Sequence, residues 1–271
     1  AGLRTRDRHG KTPLAHAVEG AAAEVVALLL ERGAEPDPVD EEGKTPLMQA
    51  AHADHAHVAR LLIDHGADVD ARSTAGKPVL LFAAEMDAAD VVRLLITSGA
   101  EVDAADRGED GFTALMHAAE NGYEDTCALL LKARANAKAR SHDGRAALHL
   151  AAGNFRNEVM PALLAAGAEV DAADSAGDTP LVAAVRAGYR ECVEILVAAG
   201  ADPDHANHAG ETAILLARHR PEIARLLRPR TTTEKTKTKA KTKAKTKART
   251  TAKAKRKTKT KTRSRRRRKI G

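Results

Sequence analysis

The sequence predicts an all-α repeat solenoid of about seven helix–turn–helix units joined by β-hairpin turns, followed by a disordered tail. Two observations carry this. Gly10, Gly43 and Gly76 are thirty-three residues apart, and so are Gly111, Gly144, Gly177 and Gly210, with only the step from Gly76 to Gly111 longer, by two. A fixed period of this length marks stacked supersecondary units, each of which buries its apolar face only against its neighbours. From Thr231 the period stops and the chain turns to Lys, Thr, Ala and Arg.

Each unit carries the same internal order. The first opens Gly10-Lys11-Thr12-Pro13-Leu14 and continues through Leu28-Leu29-Leu30 to Gly33-Ala34. The second answers with Gly43-Lys44-Thr45-Pro46-Leu47, Ala50-Ala51, Leu61-Leu62-Ile63 and Gly66-Ala67. The sixth has Gly177-Asp178-Thr179-Pro180-Leu181 and Ile195-Leu196-Val197. Thr before Pro starts a helix: the hydroxyl caps and the proline fills the first turn. The paired alanines let a second helix approach the first, and the leucine run is the buried stripe of that second helix. The glycine after it suits a left-handed helix end. Glu101–Ala105 then leads, extended, into the next turn.

This pattern resembles the ankyrin repeat, whose Gly-x-Thr-Pro-Leu-His-x-Ala-Ala…Leu-Leu…Gly-Ala motif recurs here in register. The units span 7–39, 40–72, 73–105, 106–140, 141–173, 174–206 and 207–228. Three departures stand out. His149 alone occupies the motif's histidine position, Pro78-Val79 replaces Thr-Pro, and Arg134 replaces a glycine. A non-glycine residue in a left-handed conformation costs on the order of 1 kcal/mol, which makes the fourth unit a softer joint. The seventh unit, with Arg225 and Arg228 among its leucines, reads as a polar cap. The first unit looks internal, and residues 1–6 read as an N-terminal extension or the remnant of a preceding hairpin, so upstream repeats are expected.

Composition sets further bounds. Aromatic residues make up 2% of the chain and tryptophan is absent, so the core is Ala, Leu and Val. Cys127 and Cys192 fall on second helices and read as core thiols in a reducing, intracellular setting. The expected location is the cytoplasm, or the nucleus for a eukaryotic source. No apolar run approaches a membrane span, and the opening residues show no signal-peptide pattern.

The net charge of +7 conceals a division. Residues 231–271 hold 20 Lys and Arg against one Glu, leaving 24 bases and 36 acids before them: +19 follows −12. With dense like charge and almost nothing apolar to bury, residues 229–271 are expected to be disordered. They resemble the Lys/Ala/Thr-rich tails of linker-histone-like proteins, without their prolines. Sequence-independent attachment to nucleic acid, by phosphate neutralisation, is the expected role. Lys253, Lys255, Arg256, Lys257, Arg265, Arg266, Arg267, Arg268 and Lys269 are its densest cations. With no interleaved aromatic, base stacking is excluded. A nuclear-localisation signal, an anionic-membrane anchor, or a tail folded onto its own acidic repeats are the other readings.

Nothing in the chain reads as catalytic, and no cofactor is expected. His52, His55 and His57 beside Asp54 have spacing that suits a transition metal, but read better as a solvated helix end. Asp68, Asp70, Glu101, Asp103, Glu169 and Asp171 evoke calcium and read better as hairpin residues bonding their own backbone. The ankyrin resemblance implies a protein partner, bound by a monomer on a concave face of hairpin tips and first helices. The candidate contacts are Arg72, Lys77 and Met86; Arg107, Asp110, Phe112, Glu120 and Asn121; and Arg140, His142, Arg145 and Asn154. Phe112 is either an exposed anchor on a turn or an aromatic folded onto the neighbouring repeat, and the inserted Gly108-Glu109 lengthens its hairpin tip. The competing reading is a DNA- or chromatin-associated architectural protein in which the tail is primary.

Overall fold

The computed structural model describes residues 2–108 and 110–227, and the basic tail with the roles expected of it lies outside them. Fourteen α-helices follow in pairs among these residues: α1 (Pro13–Glu19) and α2 (Ala23–Glu31), α3 (Pro46–His52) and α4 (Ala56–Asp64), α5 (Val79–Glu85) and α6 (Ala89–Thr97), and α7 (Ala114–Asn121) and α8 (Glu124–Lys132). Then come α9 (Ala147–Gly153) and α10 (Met160–Ala165), α11 (Pro180–Ala187) and α12 (Arg190–Ala199), and α13 (Ala213–Leu216) and α14 (Pro221–Leu227). First helices stack on first helices and second on second, so one continuous apolar core runs through the described residues. The architecture is a helical repeat solenoid. In place of extended strands, two isolated antiparallel bridges are formed, Arg72 with Pro78 and Ala105 with Thr113.

The helix starts follow from the capping residues. Thr12, Thr45, Thr113, Thr179 and Thr212 each accept a hydrogen bond from the backbone N–H three residues on. Ala146 gives α9 no such cap, and there the bond runs the other way, from the capping residue's own N–H to the side chain of His149. Its Nδ1 accepts from the Ala146 N–H at 3.1 Å, and its Nε2 donates to the Asp178 carbonyl of the next unit at 3.1 Å. Burial holds this imidazole below its ordinary pKa, in the neutral form that such bonding requires. Pro78 offers no side-chain cap to α5.

Carboxylates tie unit to unit. Asp37 accepts from the Asp68 N–H, Asp70 from Glu101, Asp103 from Asn136 and Asp171 from Asp202, all at 2.8–3.0 Å. A second set of links sits where the first helices end. Donors from the following unit reach back to backbone carbonyls there: Tyr123 to Glu85, Arg156 to Glu120, and Arg220 to Val185 and Arg186.

Arg134 is left-handed, with φ of 68°, in the place of the expected glycine. Ala21, Asp54, Asp87 and Phe155 are also left-handed, at the turns between the two helices of a unit. The seventh unit is a correction to the expected polar cap. Arg225 is exposed, but so are Ile214 and Leu215, the latter at 52%. The helix is cut to four residues by a 3₁₀ turn (Ala217–His219), and no following helix covers it among the described residues. Arg228 lies outside them. In the first unit Val25 is 47% exposed, where Val58 and Val91 of the next two units are buried.

Cys127 and Cys192 are buried and unpaired, and burial pushes their thiols up to about 12 and about 11. No helix is long and apolar enough to cross a membrane, and no group of three or more metal-ligating side chains comes together, both among the described residues.

Candidate functional site: the face of hairpin tips and first helices

In three units the residue after the tip glycine pairs across the first helix with the residue eight positions later. In the first unit these are Lys11 and Glu19, which form an ion pair. In the third they are Lys77 and Glu85, paired at 2.5 Å. In the sixth the polarity is reversed: Arg186 pairs with Asp178 and also with Glu211 of the seventh unit, at 3.0 Å. The second unit breaks the row. His52 stands opposite Lys44, which turns to Glu42 on its own tip at 2.5 Å.

Aromatic rings extend the Lys77–Glu85 pair into a network. The Lys77 ammonium lies 4.9 Å from the Phe82 ring centre, and His52 meets the same ring edge-on at 6.5 Å. His117 Nε2 is 3.5 Å from Glu85 Oε1 and packs edge-on against Phe112, 5.2 Å away. Arg145 lies over the other aromatic of the row, its guanidinium carbon 5.8 Å from the Phe112 centre, while its Nε binds Asp143. Burial lowers the His117 pKa, with Glu85 pulling the other way. The face therefore carries fixed charges over aromatic rings, the chemistry that dominates protein recognition.

The twelve sequence candidates fall into three groups. Met86 projects, 48% exposed, and Arg107, Asp110 and Asn121 of the fourth unit and His142 and Asn154 of the fifth are exposed as well. Asn121 and Asn154 each donate to a carbonyl one helical turn back, at 3.0 and 2.9 Å. Lys77, Glu120 and Arg145 are half-buried in the face. The remaining three are committed to the scaffold. Arg72 donates to the Gly76 and Ala105 carbonyls at 2.9 and 2.7 Å, and Arg140 to those of Gly144 and Ala173 at 2.8 and 2.9 Å. Phe112 is only 4% exposed, so it is the aromatic folded onto its neighbours and not a projecting anchor. Its apolar ring gains more beneath Arg145 and beside His117 than in water.

His142 covers Gly111 so closely that a Cβ there would stand 2.4 Å from the imidazole, and Gly111 has φ of 67°. The lengthened tip is thus seated against the next unit. Sequence reading missed Phe82, Glu85, His52 and His117. The repeat frame itself was the signal, because all four stand at places whose residue type changes from unit to unit.

Repeated helical pairs, with a variable row of charged and aromatic side chains on an invariant stack, define a helical-repeat interaction scaffold. The comparisons agree. The model described as ankyrin repeats (3 copies) matches residues 32–106, 80–174 and 148–239, and the ankyrin repeat model matches 9–41. The chain belongs to the ankyrin repeat family. The crystal structure of the human ASB11 ankyrin repeat domain superposes with a TM-score of 0.73 at 24% identity, covering 80% of this chain and 96% of that one. That likeness establishes the fold. No curated protein matches the chain. Ankyrin repeats are generally protein–protein interaction modules, and such domains are typically non-enzymatic.

Proposed function

We propose that the chain is a non-enzymatic scaffold that captures a protein partner on the concave ankyrin face, while its basic tail attaches electrostatically to nucleic acid. The observation that carries the first part is the network from His52 through Phe82, Lys77, Glu85, His117 and Phe112 to Arg145, with Met86 projecting beside it. These side chains differ from unit to unit, while the caps and leucines beneath them repeat. The charge division supports the second part, because a net charge of +19 in forty-one residues matches a polyphosphate.

The test is affinity capture with the full chain and with the double variant Met86→Ala, Arg145→Ala. The double variant is expected to lose the partner and to keep its retention on DNA. A chain ending at Arg230 is expected to do the reverse. Duplex DNA binding by the full chain should fall with a log–log salt slope of about −9 for ten phosphates engaged. Loss of every association in the shortened chain would favour the architectural reading, and absence of DNA binding at low salt would end the nucleic-acid reading.

A further inference from the structure

The missing cross-face pair in the second unit leaves an opening between two closed units. Two adjoining hollows of about 400 and 440 Å³ meet there, sharing Glu42, Lys44, His52 and Phe82. Their outer walls are the Lys11–Glu19 and Lys77–Glu85 pairs. The exposed part of the floor is Ala53 and the His52 imidazole, set edge-on against a Phe82 ring that is only 6% exposed, with Met48 buried beneath. Five carboxylates border the two hollows, those of Glu19, Asp40, Glu42, Glu85 and Asp106, against the three lysines. Each lysine is already matched by one carboxylate, so Asp40 and Asp106 leave an excess of negative charge.

We propose that this opening receives an arginine- or lysine-bearing extended segment of the partner protein. The inference rests on the concave face being the recognition surface. An apolar floor beneath an acidic rim fits a side chain with an aliphatic stem and a cationic head. The stem lies against the exposed His52 ring, since the Phe82 ring is buried and already lies under Lys77, while the head meets the carboxylates in a charge-complementary setting. Neighbouring units exclude such a guest because their own lysine crosses the face and closes it.

The experiment uses the full chain and a fluorescent dodecapeptide of alternating Arg and Ser, titrated by anisotropy at moderate salt. His52→Glu is the decisive variant, because a carboxylate there completes the cross-face pair with Lys44 and closes the opening. It also adds negative charge, so a purely electrostatic surface would bind the peptide more tightly. The expected result is binding weakened by at least about threefold in His52→Glu and by less in His52→Gln, which removes the ring but cannot close the opening, with thermal unfolding of both variants as in the wild type, since His52 is exposed. Unchanged or tighter binding by His52→Glu overturns the proposal. So does carbodiimide cross-linking, without peptide, of Glu42 to a lysine of residues 231–271, which would make the chain's own tail the occupant. Capture of the natural partner that survives His52→Glu but fails in the Met86 and Arg145 variant would refute this opening alone and leave the broader reading standing.

Discussion

Arg72 Nη1 donates at 2.7 Å to the carbonyl of Ala105, the residue that holds Arg72's own place one unit later. The same nitrogen donates to the Gly76 carbonyl at its own hairpin tip. Arg140 repeats the arrangement with Gly144 and Ala173, and Arg6 with Gly10 and Val39. The arginine therefore alternates with Val39, Ala105 and Ala173 from Arg6 to Arg140, and the alternation ends at Ala206.

Replacing Arg72 by Ala removes two charge-assisted hydrogen bonds to carbonyls in a half-buried setting. Because exposure discounts each bond, the expected loss is about 1–2 kcal/mol, read as a lower urea midpoint with an unchanged slope. Arg72→Lys should recover less than half of this, since a flexible ammonium replaces a rigid fork.

Arg134→Gly is expected to stabilise the protein. Its backbone sits at φ of 68°, where a side chain costs about 1 kcal/mol and glycine does not. Arg134 is exposed, so no packing is lost. Calorimetry should show a rise of a few degrees for the described repeats, and an unchanged or lower midpoint would contradict the cost assigned to this turn.

Stability should fall as the pH drops through the histidine range. The folded pKa of His149 lies below the ordinary 6.5, so the unfolded chain binds its proton first. The stabilisation is complete above that value and drains away below it, as pH approaches the folded pKa. Urea midpoints of wild type and His149→Gln should therefore converge as the pH falls below the ordinary histidine value of 6.5. Parallel curves would show that His149 carries no such linkage.

Cys127 and Cys192 should resist a thiol reagent in the native protein at pH 8. Burial raises both thiols to about 12 and about 11, so little thiolate exists, and neither sulfur faces solvent. Both are expected to react fully in denaturant. Rapid labelling of one cysteine without denaturant would reveal local opening of its helix.

The stacking was legible because capping threonines, prolines and leucines recur at a fixed period, and each acts through its immediate neighbours. Arg134 was legible for the same reason. The other left-handed residues, Ala21, Asp54, Asp87 and Phe155, were not, because the turn between the two helices carries Gly122 and Gly188 in only some units. At the site, the repeat frame was enough to expect Lys77, Met86 and Arg145 at the surface, where they stand exposed or half-buried. It did not show that Arg72 and Arg140 are spent on carbonyls thirty-three residues away, because that is decided by side-chain reach between units. The fate of Phe112 was open for a related reason: whether a ring projects or folds down depends on what Arg145 and His117 cover.

The arginine straps give the stack a grain. They clasp the hairpin tips two by two, first to second, third to fourth and fifth to sixth, and leave the joints between these couples without one. The elementary brick is thus a doublet of sixty-six residues or slightly more. The joints between doublets are held instead by other bonds, Thr74 to the Glu42 carbonyl between the second and third units and Arg156 to the Glu120 carbonyl between the fourth and fifth. The joint between the second and third units is one of these seams, and it runs beneath the opening at His52.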